Sequence, residues 1–245
     1  LNKRHGLTLR RTCAILQQGF GLSLSPGGLS QALARMARKV EPAYAELLTL
    51  LRHSPVVHSD ETGWWVEGDN AWLWVFTNDR YTLYHIGAER NQGVVSDHLG
   101  DDFAGVLISD CLNVYDPHPG RKSKCLAHHL KAVKQALQDK PGSAFLREIQ
   151  ALLKSVVILH HLRPELDPRR YEQAVASLEA GLERLLAPTY PPGAEEKFAN
   201  RLRKQRPHLL TCLYVAGVDP TNNQAERQLR PAVIARKLSG GNRSE

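Results

Sequence analysis

The chain has 245 residues, of which 42% are hydrophobic, and 32 Lys and Arg against 25 Asp and Glu leave a net charge of +7. That length buries one sizeable core plus a smaller helical unit, no apolar run reaches a membrane-spanning length, and the amino end carries no signal-peptide pattern. The basic balance favours a polyanionic partner, while four scattered cysteines without a Cys-x-x-Cys pair imply neither a disulfide framework nor a structural zinc site and suit a reducing cytosol.

The first predicted elements are helical. Leu9, Cys13 and Leu16 form one apolar stripe, and Leu29, Leu33, Met36 and Val40 form another. Between them, Gly19-Phe-Gly-Leu-Ser-Leu-Ser25-Pro26 supplies a turn and a Ser-Pro helix start. Arg10, Arg11, Arg35, Arg38 and Lys39 lie on the polar faces. Two readings stand at this point. The pair is a helix-turn-helix whose second helix, carrying Arg35, Arg38 and Lys39, enters a DNA major groove, or it packs on the core or on a second subunit. Its turn is longer than the usual three or four residues. The helix continues to residue 54.

Val56 to Val66 reads as a strand rich in β-branched and aromatic residues. Gly68-Asp69-Asn70 turns it into a returning strand, Ala71 to Thr77, and Asn78-Asp79-Arg80 turns that into a third, Tyr81 to Ile86. Trp64, Trp65, Trp72 and Trp74 on this hairpin read as sheet packing rather than base-stacking platforms. A short helix from Asn91 to Leu99 precedes Gly105-Val-Leu-Ile-Ser-Asp110, whose near-continuous apolar run marks a strand buried on both faces. Asp110 stands at the carboxyl end of that strand, where open α/β sheets place ligand sites.

From His129 to Val218 the pattern is helical, with segments Ala144 to Leu162, Tyr171 to Leu186 and Glu195 to Val215 jointed at prolines. Arg201, Arg203, Lys204 and Arg206 cluster on the last of these, as a solvated face or a phosphate contact. Cys125, His128 and His129 offer at most three zinc ligands, and adjacent histidines on a strand face opposite sides. The group is therefore read as a last core strand ending beside the active site.

The most informative segment is Asp219-Pro-Thr-Asn-Asn-Gln-Ala-Glu226-Arg-Gln-Leu-Arg230-Pro. Thr221, Asn222 and Asn223 are good helix-starting residues, Glu226 lies one turn further in, and Arg227, Arg230, Arg236 and Lys237 follow as phosphate-binding cations. Taken singly, Asp60 and Asp110 are turn or cap residues. Their order changes the reading: acids on a first and a fourth strand with a third on a late helix describe a ribonuclease-H-like core. The expected fold is α/β, a ribonuclease-H-like mixed sheet with an all-helical insertion and a helical N-terminal segment, divided at 1–54, 55–128, 129–218 and 219–245.

The segments His58-Ser-Asp60-Glu-Thr-Gly, Gly105-Val-Leu-Ile-Ser-Asp110, Cys125-Leu-Ala-His128 and Asn222-Asn-Gln-Ala-Glu226-Arg-Gln-Leu-Arg-Pro resemble the motifs of bacterial transposases of the insertion sequence 66 family. The likeness runs in register from about Leu7 to the last residue. The chain departs from it at Cys111-Leu112-Asn113, where relatives have a Gly and small residues, and at Leu130-Lys131, where relatives have paired arginines. It also lacks a full cysteine-rich zinc module before the core. With Leu rather than Met in first place, the sequence is expected to be a fragment or a truncated reading frame.

The resemblance implies an Asp-Asp-Glu transposase with Asp60, Asp110 and Glu226 as catalytic and metal-binding triad, Asp60 bridging. Phosphodiester chemistry calls for two hard divalent ions, Mg²⁺ or Mn²⁺, and three carboxylates are the minimum set to hold them. The expected activity is cleavage of transposon-end DNA followed by attack of the freed 3′-hydroxyl on a target phosphodiester, a DNA recombination. The expected partner is double-stranded DNA, with a homo-oligomer assembled on it and no membrane, in a bacterial cytoplasm at the nucleoid. A nuclease that cleaves without joining strands, and an inactive DNA-binding remnant, are the alternatives.

Overall fold

The computed structural model describes residues 7–239. Its centre is a five-stranded mixed sheet, and the local sequence explains each strand. β1 (Val56–Val66) and β2 (Asp69–Thr77) are joined through Glu67-Gly68, both at positive φ, a tight turn in which glycine carries the larger angle of 97°. β3 (Thr82–Gly87) returns antiparallel to β2, and the Asn78 side chain fixes the turn by accepting from the amides of Arg80 and Tyr81. β4 (Val106–Ser109) and β5 (Arg121–Lys124) add on in parallel, giving the order β3-β2-β1-β4-β5. The α/β expectation and the mixed sheet are both found.

Helices cover the sheet unequally. α1 (Leu9–Phe20) and α2 (Pro26–Arg52) form the N-terminal hairpin, capped by Thr8 and Ser25 hydroxyls and closed after Phe20 by Gly21 at φ 68°. Only the carboxyl end of α2 reaches the core: Leu47, Leu48 and Leu51 pack with Val57, Trp74, Phe76 and Leu107 on one sheet face, joined by α3 (Gln92–Leu99) through Val94, Val95 and Leu99. Residues 21–46 are exposed apart from Gly28, Leu29 and Leu33.

The opposite face is shared. Val106 and Ile108 pack into a helical cluster built from α4 (Leu126–Asp139), α5 (Ala144–Leu162), α6 (Pro168–Leu186), α7 (Ala194–Leu209) and the single turn α8 (Thr211–Tyr214). Beside it, α9 (Asn223–Ser239) lays Ala225 and Leu229 against Trp64, Ala71, Leu73 and Val75. Pro42, Pro207 and Pro231 sit inside α2, α7 and α9, so three prolines that could mark joints are absorbed within helices.

One expectation is corrected, and the sheet-packing expectation for the tryptophans holds for all but Trp65. Cys125 to His129 do not form a strand end: β5 stops at Lys124 and Leu126 already belongs to α4. The short apolar rise Cys-Leu-Ala suits either state, and the amphipathic run to Asp139 decides for helix. The four tryptophans divide. Trp74 and Trp64 are buried, Trp72 lies under the Arg90 guanidinium at 4.0 Å, and Trp65 is 46% exposed. None of the described helices is long and apolar enough to cross a membrane.

Candidate functional site

Strand parity sets which sheet face each strand-borne acid serves. On β1 the odd side chains serve the α2–α3 face: Val57 is in that core, and Ser59 and Glu61 both meet the Tyr115 hydroxyl, at 3.4 and 2.5 Å. The even positions therefore serve the other face, where Trp64 packs under α9. Asp60 is even. On β4, Leu107 joins the first core and Val106 and Ile108 the second, so Asp110, two residues past Ile108, continues on the same side as Asp60. The parallel pairing runs from Val56 with Val106 to His58 with Ile108, and just past its end the charge of Asp110 acts on Asp60.

α9 supplies the third acid. Its first turn is closed by the Glu226 amide donating to the Asn222 carbonyl at 3.2 Å. Burial of Ala225 and Leu229 sets its rotation, leaving Glu226 half-buried toward the sheet. The side chain of Asn222 does not cap the helix as its position predicts. It is wholly buried, donates to the Ser59 carbonyl at 2.8 Å and accepts from His58 Nδ1 at 3.2 Å. Because the amide nitrogen is committed to Ser59, the His58 ring must carry its proton on Nδ1. Burial lowers the His58 pKa, which agrees with a neutral ring. The Asn222 amide also points at Cys125 Sγ at 3.2 Å, and the Leu126 amide donates to the Pro220 carbonyl at 2.8 Å. The start of α9 is thus clamped to β1 and to the start of α4.

The electrostatics single out Asp60. Burial, then the charges of Glu61, Asp110 and Glu226, push its carboxyl up to about 7, against one opposing hydrogen bond from the Glu61 amide at 3.0 Å. Among the described residues no Lys or Arg forms an ion pair with Asp60, Asp110 or Glu226. Glu61, the next residue, is the contrast. Burial raises it too, but it accepts from Arg90 at 2.9 Å and from Tyr115, so its charge is answered within the protein. An under-compensated acid cluster with an opening to solvent fits a cation. Asp60 and Glu226 line a cleft of about 390 Å³ whose other walls include Leu229, Val233 and Ile234, with Arg230 and Lys237 at its rim; Asp110 flanks Asp60 at the neighbouring strand end, its Oδ1 accepting from the Leu112 amide at 2.8 Å.

A family model described as Transposase IS66 family matches residues 2–245, nearly the whole chain. The chain belongs to that family. No curated protein matches it. Membership makes it a transposase in general terms, with DNA as its partner.

The predicted cationic residues of the transposase separate by environment. Arg227 and Arg230 are exposed on α9, as is Lys237, while Arg236 turns back and donates to the Gly63 carbonyl and to Thr62 Oγ1. Arg35, Arg38 and Lys39 are exposed on the free half of α2. The dense run on α7 is engaged internally: Arg203 binds the Leu186 and Pro188 carbonyls, Lys204 pairs with Asp116 at 2.8 Å and Arg206 with Glu183 at 2.6 Å. Sequence reasoning missed three features, namely the Asn222 clamp, the Glu61–Arg90–Tyr115 group, and the approach of Glu226 to Cys125 and His128. The last was within reach, since Cys125 and His128 share a helix face at i, i+3 once α4 is placed correctly.

Proposed function

We propose that this transposase is a ribonuclease-H-like Asp-Asp-Glu enzyme in which Asp60, Asp110 and Glu226 hold two divalent ions, Mg²⁺ or Mn²⁺. One observation carries the reading: Asp60 on β1 is buried among the charges of Glu61, Asp110 and Glu226, with no cation among the described residues paired to it, and is held near neutrality. The strand order, three antiparallel strands followed by two parallel ones, supports the ribonuclease-H-like assignment. Oxygen-only, charged ligands suit hard cations. Bound there, such ions activate an attacking hydroxyl and neutralise charge at the leaving oxygen.

The remaining tasks fall to the chain itself. Asp60, Asp110 and Glu226 would hold the ions, and the bridging role assigned to Asp60 follows the family resemblance. Arg230 and Lys237 at the rim orient the phosphodiester backbone toward the acids. The apolar wall of Leu229, Val233 and Ile234 thins water around the reacting phosphate. The same site first cleaves at a transposon end and then directs the freed 3′-hydroxyl at target DNA.

The test uses labelled element-end duplex, target plasmid and Mn²⁺. The proposal expects 3′-end nicking and joined products with the native protein, and loss of both with Asp60→Asn or Asp110→Asn. Removing a ligand should cost at least about 100-fold in cleavage. Nicking without joining would identify a nuclease, and neither product, with DNA still bound, an inactive remnant.

A further inference from the structure

Cys125, His128 and Glu226 each bring one ligand atom to a common point, all within 4.8 Å of one another. Cys125 stands at the cap before α4, His128 in its first turn and Glu226 in the first turn of α9, and these two helix starts are fastened by the Leu126–Pro220 hydrogen bond and by Asn222. The His128 ring adds a second observation. Its Nδ1 is shut away from solvent with no hydrogen-bond partner, a state that costs free energy unless something else satisfies the ring. We infer that Cys125, His128 and Glu226 form a binding site for a thiophilic divalent ion of the zinc class, distinct in chemistry from the hard-ion pair.

The ligand set supports that choice. One sulfur, one imidazole and one carboxylate make the mixed donor set that zinc accepts and that magnesium does not. Three protein ligands leave a fourth position open, the pattern of a non-structural zinc site. Ligand atoms around a four-coordinate ion stand roughly 3.5 Å apart, so side-chain rotation of about an ångström closes the present arrangement. The neighbouring Cys111–His129 pair, 3.2 Å apart, is a poorer candidate. Arg201 Nε stands 3.4 Å from the other ring nitrogen of His129, which places a fixed cation where a metal would need an acid.

Glu226 is shared with the proposed triad, so a zinc-class ion here competes for that carboxylate; this consequence rests on the triad reading, whereas the binding site does not. The experiment titrates the metal-free full chain with Co²⁺ and then Zn²⁺. The expected result is a thiolate-to-metal charge-transfer band in the near ultraviolet that saturates at one thiolate-bound Co²⁺ per chain and is displaced by Zn²⁺. Cys125→Ser should abolish the band, and His128→Ala, at a half-exposed position, should weaken binding at least about tenfold. Circular dichroism checks that both variants fold. Cys111→Ser, Asp60→Asn and Asp110→Asn should leave the band in place. A featureless Co²⁺ titration, or loss of the band with Cys111→Ser instead, overturns the site. Failure of the triad reading shows separately, as DNA cleavage surviving Asp60→Asn.

Discussion

Asp60 and Asn222 show how single side chains set the behaviour of the site. The native Asp60 carboxyl is pushed from its ordinary 3.8 up to about 7, so the folded protein holds this proton to a higher pH than the unfolded chain does. The linked stability is fully present below 3.8 and is lost as pH rises to about 7. Thermal melting of the metal-free protein should therefore decline across that interval, and Asp60→Asn should flatten the decline. Mn²⁺ should restore stability most above pH 7, where the ion no longer competes with a proton. Asn222 is a different case, because it carries no charge and touches no proposed ligand except through the backbone. Asn222→Ala leaves His58 Nδ1 and the Ser59 carbonyl buried and unpaired, a loss of about 2–4 kcal/mol in urea denaturation. Since the clamp sets where α9 begins, cleavage by this variant should fall even under conditions where it is fully folded.

At the scale of elements, α9 combines an acid, an apolar packing edge and cations, and its cations are not equivalent. Arg230 and Lys237 are exposed at the cleft rim, and each that contacts a phosphate releases counterions when DNA binds. Arg230→Ala and Lys237→Ala should each reduce the slope of log affinity against log salt by about one. Arg236→Ala should leave that slope unchanged and lower the melting temperature instead, because its guanidinium is committed to the Gly63 carbonyl. A fluorescence-anisotropy titration over several salt concentrations separates the two behaviours. The α7 cluster belongs with Arg236, as Arg203, Lys204 and Arg206 already have internal partners.

Across the whole molecule, the structure divides into a packed body and a projecting helical hairpin. The helical cluster between Asp110 and Glu226 is large and well buried. Leu153, fully buried within it, should cost about 2–5 kcal/mol when replaced by Ala. The hairpin is the reverse: α1 buries only Thr12 and Cys13, while α2 joins the body through its carboxyl half, by Leu47, Leu48 and Leu51 and by hydrogen bonds from Tyr44 and Arg52. Deleting residues 1–40 should therefore leave the melting transition of the body almost unchanged. If Arg35, Arg38 and Lys39 read DNA, the truncated protein should lose discrimination between element ends and random duplex while keeping salt-dependent affinity. Equal discrimination by both forms would move end recognition to the helical insertion.

Much of this was legible along the chain. β1 runs from Val56 to Val66 as its β-branched and aromatic content predicts, and α5 runs from Ala144 to Leu162 as its apolar spacing predicts. Both depend on side-chain periodicity, which is local. The order of Asp60, Asp110 and Glu226 is likewise what led us to propose them as one group. Their placement was not a local matter. It follows from which face each strand turns to α9, from the β1–β4 register, and from the way Ala225 and Leu229 fix the rotation of a helix 166 residues downstream of Asp60 (226 − 60). The same holds for the cations. Arg203, Arg206 and Arg236 look like Arg230 in sequence, and only their tertiary partners separate them. Asn222 reads as a helix cap because capping is the local option for an Asn at that place; packing of α9 on β1 offered it the buried Ser59 carbonyl and the His58 ring instead. Periodicity and chain order are written in the sequence, whereas partners for charge and hydrogen bonds are assigned only when distant segments are brought together.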